Sequence, residues 1–167
     1  MRKLKLILIV LVAVFLVLGS YMVLIAPTQD SPAQPDHVLI YLIEATPTDF
    51  FLIPVERQIA QAPTPVVALQ ALLHGPLDHE NLHESVPHSA TLLDLTVHDG
   101  LASANFSSEL VKDFPGGSLT EACLLEAIVN TLTEFPEIDR VQILVEGEIV
   151  ESIGGHILIT KPLRRSD

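Results

Sequence analysis

Cysteine occurs once in this chain of 167 residues, at Cys123, and tryptophan does not occur at all. A lone thiol excludes an internal disulfide and leaves no lipobox cysteine at the end of an apolar leader, so stability must come from packing. Two tyrosines and no tryptophan offer little aromatic surface for stacking on sugars, which argues against a glycan binder. Cations are scarce as well: nine Lys and Arg stand against 21 Asp and Glu, a net charge of −12. Setting apart Arg2, Lys3 and Lys5 at the very start, the rest of the chain carries −15. A surface of that sign repels nucleic acid and anionic lipid, and no nucleic-acid partner is expected. Acidity by itself names no other partner. No G-x-S-x-G elbow is present, so Ser107 and Ser108 lack the context of a hydrolase serine.

What is present begins with one long apolar run. Residues 6–26 form an uncharged stretch of 21 residues behind the three cations. As a helix it would span about 32 Å, close to the hydrocarbon thickness of a bilayer. The positive-inside rule then leaves the N-terminus in the cytoplasm and the remainder outside, a single-pass protein of the cell membrane. A cleaved signal peptide ending near Gly19 and Ser20 is the rival reading, and both export the domain. Residues 27–36, with three prolines and no apolar period, read as an extended stalk. About 130 residues remain, enough for one domain with a sizeable core, residues 37–165.

The clearest local signals lie between Ser118 and Gly147. Ser118 followed three residues later by Glu121 predicts a capping box and a helix start. Ala122, Leu125, Ile128, Val129, Leu132 and Phe135 then recur at helical spacing, with Glu126, Asn130, Thr133 and Glu134 opposite. Pro136 stops the helix, and residues 141–145 read as a strand. Upstream, residues 38–43 are apolar on both alternating faces, as expected of a covered, central strand. Residues 50–59 form a second strand, kept to an edge or a bulge by Pro54. Thr64 and Pro65 open a helix that Gly75 and Pro76 close. Residues 91–98 and 101–106 form a hairpin about Asp99-Gly100, and residues 149–152 and 156–160 are expected as two short final strands. Two helices packed on one face of a mainly antiparallel sheet make an α+β domain, preceded by the N-terminal transmembrane helix.

Three groups could carry chemistry. His79-Glu80-Asn-Leu-His83 matches the H-E-x-x-H pattern, in which two histidines one helical turn apart hold zinc and the glutamate activates its water. That would make a zinc-dependent hydrolase. The pattern needs a firm helix beside a cleft, whereas this segment lies between Pro76 and Pro87 and reads as a solvated loop. Cys123 sits in the first turn of the long helix, where the dipole favours a thiolate, yet no histidine adjoins it and a packing role is expected. Gly154-Gly155-His156 opens no helix and so is a bend, not a phosphate loop. No catalytic, cofactor-binding or metal-ligating residue is assigned, and no cofactor is implied.

Several stretches in order resemble the GerMN domain, a module of spore germination and other exported bacterial proteins. They are Leu69-Gln-Ala-Leu-Leu-His-Gly-Pro76, Val86-Pro87 leading to Leu92-Leu93, and Val97-His-Asp-Gly-Leu-Ala-Ser-Ala-Asn-Phe-Ser107. Gly116-Gly117-Ser118, Thr131-Leu-Thr-Glu-Phe-Pro136, residues 141–147 and Lys161-Pro-Leu163 complete the pattern. The resemblance implies an α/β module related to ring-building motifs, without known catalytic residues. It therefore implies a non-catalytic, extracytoplasmic interaction or assembly module of the cell envelope, with envelope proteins or further copies of itself as partners. A zinc hydrolase using His79, Glu80 and His83, and a cell-wall ligand binder, are the alternatives.

Overall fold

The structure, a computed structural model, describes residues 36–166. The expected membrane span at residues 6–26 and nearly all of the stalk lie outside the described residues. Among the described residues no helix is long and apolar enough to cross a membrane.

Strands β1 (Asp36–Ala45) and β2 (Phe50–Ile59) form an antiparallel hairpin running from Asp36 opposite Ile59 to Ala45 opposite Phe50. Helix α1 (Pro65–His74) starts where expected: the Thr64 side chain accepts the Val67 N–H, Pro65 takes the first turn, and Gly75 ends it at φ 71°. Strands β3 (Leu92–His98) and β4 (Leu101–Phe106) follow as a hairpin. Its Asp99-Gly100 turn has φ 48° and 80°, the left-handed pair that a two-residue connection requires. A short helix α2 (Glu109–Lys112) leads to the long helix α3 (Ser118–Thr133), and β5 (Arg140–Val145) completes the regular elements.

These elements make an α+β domain with two sheets where one was expected: β1–β2, and a three-stranded sheet of order β3-β4-β5. The β4–β5 pair is parallel, because α2 and α3 fill the connection and return the chain to the same end. Strand β1 is not central: it pairs along its length only with β2. The two final strands expected at 149–152 and 156–160 do not form; that segment is irregular, and the residues flanking it touch β5 through single bridges at Val145–Glu148 and Val141–Leu163.

Helices α1 and α3 pack against each other and against β1. Ile40 and Leu42 of β1, Leu69 and Leu72 of α1, Leu124, Ile128 and Leu132 of α3, Phe106 of β4 and Ile143 of β5 are fully buried. Each contributes roughly 1.5 to 3 kcal/mol through the area it removes from water. Along β3, Leu93, Leu95 and Val97 alternate with Asp94, Thr96 and His98, but this alternation does not translate into burial. Its register slips between Leu92 and Asp94, Leu93 is 50% exposed and Val97 40% exposed. The capping box is also absent. Gly117 occupies the N-cap at φ 102° without a side-chain cap bond, and Glu121 turns away from it into the core.

Candidate interaction surface

Of the residues singled out for chemistry, Glu80, Ser107 and Cys123 are spent on structure. No helix forms at His79-Glu80-Asn-Leu-His83, so the two histidines do not share a helical face, and both are exposed. Glu80 holds Arg57 of β2 in a two-pronged ion pair at 2.8 and 2.9 Å and accepts the Leu77 N–H at 2.8 Å. Arg57 hydrogen bonds hold the Glu80 carboxyl below its ordinary value against the opposing effect of burial. The backbone of His83 exchanges two hydrogen bonds with Ile43 at the outer edge of β1. This loop thus fastens the end of α1 to the first hairpin, and the motif lacks the helix that the zinc-site alternative requires. Among the described residues no three His, Cys, Asp or Glu side chains are grouped to hold a metal ion.

Cys123 is buried, and its thiol is pushed up by burial and by the nearby Glu126 charge, the opposite of an activated thiolate. Ser107 accepts the Thr91 N–H and is buried. Gly154-Gly155-His156 does bend the chain, but it also wraps a carboxylate. Glu121, with 0% exposure, accepts the amides of Ile153, Gly154 and His156 at 3.0, 2.8 and 2.9 Å. Burial works to raise the Glu121 carboxyl pKa, but these amides and the His156 ring outweigh it and hold the group below its ordinary value. A second cluster was not foreseen. The Tyr41 hydroxyl donates to Glu134 at 2.5 Å, and Arg165 donates to Glu134 at 2.6 Å while lying over the Tyr41 ring. No sequence signal marks it, since Tyr41 and Arg165 lie at opposite ends of the domain.

What remains available is surface, and the sheet edges differ sharply. The outer edge of β1 is closed by His83 and by Ser85, whose hydroxyl donates to the Tyr41 carbonyl. On β2, Pro54 stands in an unbroken ladder, so its nitrogen, which carries no hydrogen, faces outward, and Glu56 and Arg57 add charge. The outer edge of β5 is occupied by Leu163 and Glu148. Among the described residues, nothing covers strand β3 in this way. Beside its first residues, Gln70, Leu73 and His74 of α1, His88, and Ala90 to Leu92 line an open groove of about 590 Å³. Further apolar exposure lies at the β1–β2 turn, where Phe50 and Phe51 are 45% and 51% exposed.

The family model named Germane, described as sporulation and spore germination, matches residues 39–151, more than half of the chain. The chain belongs to the Germane family. The role this membership supports is the general one of the family's description, in sporulation and spore germination. Solved structures agree on a GerMN-like fold. A candidate lipoprotein from Clostridium perfringens is 25% identical with a TM-score of 0.56, covering 78% of this chain and 87% of its own. The tandem GerMN domains of the sporulation protein GerM from Bacillus subtilis are 23% identical with a TM-score of 0.66; the match covers 84% of this chain but 49% of theirs. The first of those domains alone is 23% identical with a TM-score of 0.63, covering 78% of this chain and 98% of its own. This Germane chain thus spans about half the length of the GerM tandem. No curated protein matches it.

Proposed function

We propose that this Germane domain is a non-catalytic, extracytoplasmic module that joins proteins of the cell envelope in sporulation or germination. One observation carries the reading: the carboxylates that could have served a site, Glu80 and Glu121, are held by internal ties, while among the described residues β3 leaves backbone and apolar side chains uncovered. Affinity then comes from strand and side-chain contacts, with no bond made or broken. The candidate lipoprotein among the structural relatives and the 21-residue apolar run behind Arg2, Lys3 and Lys5 both support attachment to the membrane with the domain outside.

In-cell cross-linking of the tagged full-length chain, followed by identification of what co-purifies, tests this. A defined set of envelope proteins, or a ladder of the chain itself, is the expected result, reduced when Val97 is replaced by Asp. Recovery of the monomer alone, with a control membrane protein cross-linking efficiently, would overturn it.

A further inference from the structure

We infer that β3 is a self-pairing edge: two copies of this chain join antiparallel about Thr96 and merge their three-stranded sheets into one of six strands. The inference rests on the interaction-module reading above and gives it a partner and a register.

The register follows from the hairpin. His98 and Leu101 close the two-residue turn, so they are a hydrogen-bonded pair, and the antiparallel ladder alternates from there. Thr96 and Asp94 turn their N–H and C=O groups toward β4; Leu95 and Val97 turn theirs outward. The Ser107 N–H donated to Thr91, beyond the Leu93 bulge, agrees with that alternation. The outward groups of Leu95 and Val97 have no partner among the described residues. An antiparallel copy must align outward residues with outward residues, which leaves few registers.

The side chains select one of them. The only ionisable side chains on β3 are Asp94 and His98, two positions to either side of Thr96. Pairing centred on Thr96 puts Asp94 opposite His98 of the second copy, and His98 opposite its Asp94. A carboxylate thus meets an imidazole twice. The His98 ring already has its Nδ1 2.9 Å from Asp99 of its own chain, which leaves Nε2 for the second copy. In the same register Leu95 meets Val97 in two hydrogen-bonded pairs, four backbone bonds in all, and the exposed flank of Val97 is covered. Thr96 meets Thr96, a favourable cross-strand pair. Shifting by two residues either way loses both Asp–His pairs. β3 also lacks the devices that close the other three edges: it has no proline and, among the described residues, no covering loop.

A disulfide reads the register directly. Thr96→Cys, in a full-length chain carrying Cys123→Ala, places two thiols in a non-hydrogen-bonded pair about 4.5 Å apart at Cα, within disulfide reach. Oxidation in detergent should give a covalent dimer, whereas Ser103→Cys, beside Thr96 on β4, should not. His98→Asp sets like charges opposite each other twice and should weaken association about tenfold by sedimentation. Adding Asp94→Lys to it should restore association. Asp94, Thr96 and His98 are exposed, so melting temperatures should hold and folding is not the confounder. Absence of the Thr96→Cys dimer, or failure of the double variant to regain what His98→Asp lost, overturns the self-pairing. If other envelope proteins are still captured in cells, the module reading stands without it; if nothing is captured, both fall.

Discussion

Glu121 and His156 are joined twice: the His156 amide donates to Glu121 Oε2 at 2.9 Å, and its ring Nδ1 lies 3.1 Å from the same oxygen. With the amides of Ile153 and Gly154 on Oε1, a fully buried carboxylate in the first turn of α3 holds a loop that has no regular structure of its own. That loop and the chain after it lie on β5, where Gln142 donates to the Ile159 carbonyl. Glu121 therefore stands in for the strands that do not form.

Glu121→Gln should cost about 2 to 4 kcal/mol, because one oxygen becomes a donor facing donors at a fully buried position. The pH dependence has a definite sign. The folded-state pKa lies below the ordinary 4.5, so the carboxylate's contribution is complete above the unfolded value and is lost as pH falls through the folded one. Urea midpoints measured from pH 6 down to pH 3 should fall less steeply in Glu121→Gln than in the parent. Equal slopes would mean the carboxylate is not held as described.

Gly154→Ala should destabilise by about 1 to 3 kcal/mol, since an added Cβ would lie 2.5 Å from the Phe114 ring and 3.1 Å from Glu121. Ser118→Ala, in contrast, should be within about 0.5 kcal/mol of the parent, because the Ser118 side chain makes no cap bond. Thermal denaturation of the two variants separates the buried loop anchor from the unused cap.

Glu80→Gln should cost about 1 to 3 kcal/mol by leaving Arg57, part-buried, with a weaker partner. Since Glu80 is also held below its ordinary pKa, its contribution is present above the unfolded value and fades as pH falls through the folded one. Metal analysis of parent and variant should give the same content. A stoichiometric zinc lost only in the variant would restore the metal-site alternative.

Thr131 has 0% exposure and its hydroxyl has no hydrogen-bond partner among the described residues. Thr131→Val keeps the shape and removes that uncompensated group, so stability should stay level or rise by about 1 kcal/mol. A loss of similar size would show that the hydroxyl is satisfied.

The α1 caps, the α3 apolar stripe and the Asp99-Gly100 turn were legible because each depends on residues within four positions of one another. The Glu80 and Glu121 roles were not, though both residues stood out. Each belonged to a short pattern, H-E-x-x-H or a capping box, whose meaning depends on where the side chain points. Arg57 lies 23 residues from Glu80, and Gly154 lies 33 from Glu121. No local pattern carries those distances.

By itself, then, the chain determined what short-range chemistry decides: two main helices with their stops, the five strands that form, the Asp99-Gly100 hairpin turn, a single thiol left to packing, and an acidic surface. Tertiary structure decided which edges stay open. Backbone donors and acceptors on a strand are identical in sequence whether or not something covers them. His83 and Ser85 close the edge of β1, and Leu163, beside Glu148 of the adjoining turn, closes that of β5, because folding carries distant segments there, whereas none of the described residues is carried onto β3.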